Sequence, residues 1–282
     1  MDQLSSSSAV PAGTKPAARW SPPPLILASL LFQLLGVIAL CADPAHWRWY
    51  VAALLANHVL LGIIGMFPRS RLIDSNLVHL PVAAMRRGEV CLTFDDGPDP
   101  AMTPQVLDWL DRFGAKASFF VTAQGAQAHP ELVRETLRRG HSIENHSLRH
   151  SNAFATYWFG GYRREIAASQ AMIAHTTGRP PQFFRAPMGL RNLFLGPALE
   201  LAGLRYVSWT RRGYDTRRDA PARVLARLTK DLAAGDILLL HDRLGGRTPE
   251  GKPLVLEVLP QLLERLAAQG LHSVSLPAAC GD

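Results

Sequence analysis

Cysteine is scarce in this chain: three occur in 282 residues, Cys41, Cys91 and Cys280. One falls in a long apolar run, one in a short apolar run and one near the C-terminus, so they outline no disulfide framework. Internal repeats are absent, which sets aside repeat architectures. The net charge is +7, but no nucleic-acid motif accompanies it. Anionic lipid is then the simpler partner for a basic surface, with ordinary solvated arginine as the competing reading. Charge itself is missing from two stretches, residues 24–42 and 49–67, of 19 residues each.

About 20 apolar residues cross a ~30 Å hydrocarbon core. The two runs are joined by Asp43-Pro44-Ala45-His46-Trp47-Arg48 and read as a transmembrane helical hairpin with both ends on one side. Trp47, Trp49 and Tyr50 stand where interfacial aromatics belong. Neither run has a polar stripe, which argues against a pair of buried soluble helices. A cleaved signal peptide is disfavoured because a long, Pro-rich segment precedes the first run. Asn57 and His58 lie inside the second run and read as contacts between the two helices. Lys15 and Arg19 precede the hairpin, only Arg48 lies within its turn, and Arg69, Arg71, Arg86 and Arg87 follow. The positive-inside rule then predicts a bacterial-type inner membrane protein whose main domain faces the cytoplasm, with the periplasmic side as the alternative.

Residues 1–23 are rich in Ser, Ala and Pro and read as a disordered tail. The hairpin occupies 24–67, a connector 68–87, and an α/β domain 88–282. Within that domain, short apolar runs predict strands at 90–94, 117–121, 142–145, 182–185, 205–209, 237–240 and 272–275. Amphipathic stretches predict helices at 103–113, 130–139, 162–176, 193–202, 220–233 and 253–268. Gly114, Gly140, Gly178, Gly203, Gly235 and Gly270 punctuate their C-terminal ends. This alternation implies a parallel sheet with helices outside it. Seven strands can close into a barrel, and an open sheet fits the periodicity as well. In such folds ligands bind at the C-terminal ends of the strands. Polar residues follow the apolar runs there: Asp95-Asp96, Asn145-His146, Arg185 and His241-Asp242.

The segment Thr93-Phe94-Asp95-Asp96-Gly97-Pro98-Asp99 puts two carboxylates at the end of a strand. Such neighbours are costly unless a cation or a proton stabilises them. His146-Ser147-Leu148-Arg149-His150 spaces two imidazoles as on one face of a helical turn. Two imidazoles and a carboxylate make a common zinc set that leaves positions open. Either motif alone is weak; together, at strand ends of one sheet, they point to a metal site.

These segments, with Arg185-Ala186-Pro187-Met188-Gly189 and Leu239-Leu240-His241, resemble the polysaccharide deacetylase family, the NodB-type carbohydrate esterases. The resemblance covers about residues 88–276, in the family's motif order. It implies a distorted (β/α)7 barrel and one divalent metal, usually zinc, with cobalt, manganese or nickel as alternatives. It implies metal ligands at Asp96, His146 and His150, a catalytic base at Asp95, a general acid at His241 and an orienting arginine at Arg185. The implied reaction is hydrolysis of an N-acyl group, acetyl or formyl, on an amino sugar. The roles are chemically coherent. A divalent cation polarises an amide carbonyl and acidifies water. Asp95 can accept the proton if it is not itself a ligand, Arg185 would hold it ionised, and an imidazolium can protonate the leaving amine. A backbone N–H after Pro187, at Met188, is a candidate oxyanion donor.

Two departures from the family stand out. Met188 replaces a usual aromatic and changes the pocket wall, to which Pro187 and Trp209 also belong. The stretch Trp209-Thr210-Arg211-Arg212-Gly213-Tyr214-Asp215-Thr216 lacks the usual acidic residues after its Trp. Asp215 is its one carboxylate to orient His241, with a turn-forming role as the competing reading. Arg211, Arg212, Arg217 and Arg218 flank it, and the arginine fork suits phosphate. The expectation is a membrane-anchored deacylase of an amino-sugar saccharide, lipid-phosphate-linked or in the envelope. The alternatives are an O-acyl esterase using the same residues, and a non-catalytic glycan-binding membrane protein.

Overall fold

The computed structural model describes residues 21–281, so nearly all of the expected disordered tail, with Lys15 and Arg19, lies outside the described residues. The elements run α1 (Pro24–Ala42), α2 (Trp47–Gly65), α3 (Val82–Arg86), β1 (Glu89–Asp95), α4 (Thr103–Arg112), β2 (Ala117–Val121), α5 (Ala123–Ala128), α6 (Pro130–Arg138) and β3 (Ser142–Asn145). They continue with α7 (Phe159–Thr177), β4 (Phe183–Phe184), α8 (Leu195–Leu201), β5 (Arg205–Tyr206), β6 (Arg211–Arg212), α9 (Pro221–Thr229), β7 (Ile237–His241), α10 (Leu254–Ala268), β8 (His272–Ser273) and α11 (Leu276–Cys280).

Helices α1 and α2 are long and apolar enough to cross a membrane, and such a pair supports membrane anchoring. Leu30, Leu34 and Val59 leave more than half their surface uncovered, as lipid-facing residues do. Polar groups instead meet between the helices. Ser29 Oγ donates to Asn57 Oδ1 at 3.3 Å, and Gln33 Nε2 lies 3.3 Å from His58 Nδ1. Helix α2 starts at Trp47, two residues before the uncharged run, with Arg48 at its mouth stacked toward the Trp47 ring. A basic residue is tolerated there because its long stem carries the charge back to water. The foot of the hairpin rests on the domain: Ile26 and Leu61 cluster with Ile73 and Leu193, and the Arg191 N–H donates to the Gly65 carbonyl.

The sheet is a curled, seven-stranded parallel half-barrel in the order β5-β4-β3-β2-β1-β7-β6, and β8 pairs with the start of β1. Strand β1 is buried at every position. Its alternate residues divide two cores, as the strand period of two requires. Val90, Leu92 and Phe94 pack outward against α4 and α10, while Cys91 packs inward with Phe120, Phe183 and Ile237. Thr93 and Asp95 follow Cys91 into the interior. Phe94 and Phe119 stack with centroids 5.0 Å apart; truncating either would cost about 3–5 kcal/mol. The ladders pair Asp95 with His241, Val121 with Asn145 and Asn145 with Phe184, which lines up the C-terminal ends of these strands.

The structure departs from the sequence expectation in several places. The strand expected at 205–209 stops at Tyr206, and Val207 makes a single bridge to Leu77. Strand β6 was not expected, because two arginines carry no apolar pattern. The connector is laid against the barrel rim: Leu77 exchanges bonds with Tyr206 and Ser208, and the Leu80 N–H donates to the Gly235 carbonyl. Helix α5 also escaped the apolar pattern; it starts on Thr122, whose side chain accepts the Gly125 N–H.

Candidate metal centre and active site

Asp96 sits just beyond β1 in the left-handed backbone region, φ 73°. Its Oδ1 lies 3.4 Å from His146 Nε2 and 3.4 Å from His150 Nε2. The donor atoms of the three residues all lie within 4.8 Å of one another. Donors each about 2.0–2.1 Å from one tetrahedral zinc ion are roughly 3.3 Å apart. The Asp96 Oδ1 is buried with no hydrogen-bond partner, a costly state that a cation relieves. The residues therefore fit a divalent metal. Burial pushes the Asp96 carboxyl up, but the surrounding imidazoles of His146, His241 and His150 outweigh it and hold it at about 2.

His146 and His150 do not share a helical turn, contrary to expectation. Ser147 and His150 have φ values of 72° and 55°, which no α-helix accommodates. Side chains hold this loop instead. Asn145 Oδ1 accepts the Ser147 N–H, Ser147 Oγ accepts the His150 N–H and Glu165 accepts the Leu148 N–H. Such backbone strain persists only where its surroundings over-determine it. His146 Nδ1 lies 2.8 Å from the Arg185 carbonyl. A carbonyl only accepts, so Nδ1 carries the proton and Nε2 presents a lone pair to the site. Burial lowers the His150 pKa, which favours a neutral ring.

Asp95 is placed differently from its neighbour. Its Oδ1 accepts Arg185 Nη1–H at 2.7 Å, and its Oδ2 lies 3.9 Å from His146 Nε2. Arg185 is fully buried. It also donates to Thr93 Oγ1 and to the Ser208 carbonyl, and it lies over the Phe120 ring at 4.1 Å. Across the same mouth, His241 Nδ1 is 2.9 Å from Asp215 Oδ1, and the His241 backbone N–H donates to Asp215 Oδ2 at 2.8 Å. Asp215 is wholly buried. Burial lowers the His241 pKa, but Asp215, by charge and hydrogen bond, with Asp95 and Asp96, raises it to about 9.

Met188 stands in a turn after the buried Pro187, with φ 57° and its side chain part-exposed. Trp209 is buried beside it, 5.9 Å from the Arg185 guanidinium. Gly189 is needed here: a Cβ would meet the Trp209 ring at 2.6 Å and Pro68 at 2.8 Å.

The four arginines near Asp215 do not converge. Arg211 is bound to Asp236 at 2.9 Å and to the Asp231 carbonyl, and Arg218 donates to the Pro249 carbonyl. Arg217 is exposed beside Tyr214. Arg212 stacks between Trp209 and Tyr214.

Sequence reasoning placed Asp242 at a strand end but gave it no role. It is buried, its Oδ2 accepts Thr103 Oγ1–H at 2.5 Å, and a Cβ on Gly97 would strike its carboxylate at 2.5 Å. It thus braces the turn that follows Asp96. Burial pushes its carboxyl up to about 7. Its place next to His241 was the available signal.

A curled parallel half-barrel with an Asp-His-His metal cluster at the strand ends defines a metal-dependent hydrolase of the NodB type. The polysaccharide deacetylase family profile matches residues 83–207. A peptidoglycan-N-acetylglucosamine deacetylase of Bacillus cereus is 32% identical over 189 residues, 66% of this chain and 85% of that protein. A chitooligosaccharide deacetylase of Bradyrhizobium sp. is 32% identical over 171 residues, 58% of this chain and 78% of that one. Among solved structures, the Bc1960 peptidoglycan N-acetylglucosamine deacetylase superposes with TM-score 0.64 and 25% identity, covering 73% of this chain and 92% of its own. The chain belongs to the polysaccharide deacetylase family and carries a pair of membrane-length helices ahead of the catalytic domain.

Proposed function

We propose that this protein removes an N-acyl group, acetyl or formyl, from an amino sugar of a lipid-linked or envelope saccharide at the inner membrane, its catalytic domain facing the cytoplasm. The observation that carries this reading is the division of the carboxylate pair: Asp95 is held by Arg185, while Asp96 faces two imidazoles. Relatives named for peptidoglycan N-acetylglucosamine and chitooligosaccharide deacetylation support an N-acetylated amino sugar. The hairpin supports a membrane-borne saccharide, and the distribution of Lys and Arg around it supports the cytoplasmic side.

A divalent cation held by Asp96, His146 and His150, zinc by this donor set, would polarise the amide carbonyl and acidify water. Asp95 takes the water's proton on Oδ2, the oxygen that Arg185 leaves free. Arg185 fixes the carboxylate's rotation from beneath. His241 gives a proton from Nε2 to the departing amine, since Asp215 occupies Nδ1. With its pKa at about 9, the ring is mostly imidazolium at neutral pH. The Met188 N–H offers a donor to the charge that develops on the carbonyl oxygen.

The test is release of acetate or formate by the full chain in detergent with added zinc, from N-acetylated and N-formylated lipid-linked amino sugars and from a soluble N-acetylated chitooligosaccharide. Release at the wild-type rate by Asp95→Asn would remove the base assignment. Release only from O-acylated sugars would move the reading to an esterase. A reporter fused to the C-terminus, active on one side of the membrane only, decides the orientation.

A further inference from the structure

A cavity of about 720 Å³ opens where the foot of α2 meets the barrel. Both parts build its wall. Met66, Phe67 and Arg69 follow the membrane-length helix, and Trp209, Arg212 and Lys230 come from the barrel. No lining residue is acidic. Met66 and Phe67 are 64% and 61% exposed, an apolar lip at the level where the helix leaves the membrane. Arg212 lies between two aromatic rings, and its Nε is buried without a hydrogen-bond partner. Arg69 spends one N–H on the Thr210 carbonyl at 3.1 Å and keeps the rest of its fork. Arg211, although it borders the cavity, is committed to Asp236.

A wall that combines cationic and apolar residues and is free of carboxylates suits an anion that carries an apolar tail. The cavity is also joined to the active site. Trp209 has the Arg185 guanidinium at 5.9 Å from its ring and that of Arg212 at 5.2 Å. One indole therefore separates the arginine that holds Asp95 from the arginine that faces the cavity.

We propose that this cavity binds the phosphate of a lipid-linked saccharide, with the residues after α2 forming one wall of the substrate site. The proposal rests on the deacylase reading above for its purpose, but not for its binding test. Arg212, Arg69 and Lys230 hold the phosphate, Met66 and Phe67 take the first isoprenoid or acyl carbons, and the sugar extends past Trp209 toward Asp95.

Titration calorimetry on the full chain in detergent tests this with farnesyl phosphate, farnesol and inorganic phosphate as probes. Farnesyl phosphate is expected to bind at least about tenfold more tightly than either of the others, and Arg212→Ala and Lys230→Ala are each expected to weaken it about tenfold. Arg212→Lys, which keeps the charge, retains part of the affinity, and that separates lost contact from lost fold. Binding that both alanine substitutions leave untouched overturns the proposal. So does inorganic phosphate binding as tightly as farnesyl phosphate. In turnover, the double substitution Arg69→Ala with Lys230→Ala lowers the ratio of lipid-phosphate-linked to soluble substrate use by about tenfold or more; an unchanged ratio overturns it. If neither substrate is deacylated, the active-site reading fails, and the calorimetry still decides the cavity.

Discussion

His241 gives two of its donors to one carboxylate: the Asp215 oxygens take the ring Nδ1–H at 2.9 Å and the backbone N–H at 2.8 Å. The pair fixes the ring's tautomer and leaves Nε2 to the substrate. Asp215 is also what lifts the His241 pKa against burial, to about 9. Asp215→Asn removes that charge, so the pKa falls and the alkaline limb of the kcat profile moves to lower pH. His241→Ala should lose about 10²–10⁴-fold in kcat. A pH–rate profile of both variants checks this, and an Asp215→Asn limb that stays in place would contradict the assignment.

Metal retention should follow the ligands unequally. His146 is buried and its tautomer is set by a carbonyl, whereas the His150 side chain is 24% exposed. Outer-shell partners typically matter 10–100-fold, so losing a ligand should cost more than about 100-fold in activity. Asp96→Ala and His146→Ala are expected to lose bound metal entirely, and His150→Ala to keep weak binding. Elemental analysis of the purified chain, before and after chelation and zinc return, measures it.

Arg185→Ala leaves Asp95 buried without its cation. Breaking one side of a buried pair costs about 3–5 kcal/mol. Asp95→Asn in the same chain should recover much of that loss, because the uncompensated charge is gone. Denaturant melts of the two single variants and the double variant give the coupling; strict additivity would show that the pair is not what Arg185 stabilises.

Glu144 gives a pH signature of stability. Burial raises its carboxyl from 4.5 to about 7, against the Phe183 and Gln182 backbone N–H groups that bind it. A raised folded-state pKa means that the native state holds the proton longer than the unfolded chain does. Its contribution is full below about pH 4.5 and is lost as pH rises through about 7. Glu144→Gln should flatten the fall in melting temperature across that window. Asp242, also at about 7, has the same sign and leaves a residual slope.

Much of the candidate site could be read in the chain because its residues sit in short segments. Asp95-Asp96 ends a strand that is apolar in sequence and buried in structure, and the sheet register carries it to His241. Strands β2 and β3 have the predicted bounds. What the chain concealed was set by contacts distant in sequence. The loop from His146 to His150 is irregular because Asn145 and Glu165 hold its backbone. Strand β6 exists because β7 pairs with it, not because Arg211 and Arg212 favour a strand. The cluster of arginines suggested one phosphate site, but Asp236 and Pro249 draw two of them away. Arg69 and Lys230, far apart in the chain, show their common wall only in the fold.

Arg185 holds two groups of the candidate site with two different parts of itself. Its side chain holds Asp95 and its main-chain carbonyl holds the ring of His146. The candidate proton acceptor and the inner candidate metal ligand thus share one mechanical mount at the end of β4. Their spacing cannot drift independently, because whatever displaces that peptide carries both together. A side-chain substitution there unties only one of them, leaving a protein that still collects its ion but no longer aims its carboxylate.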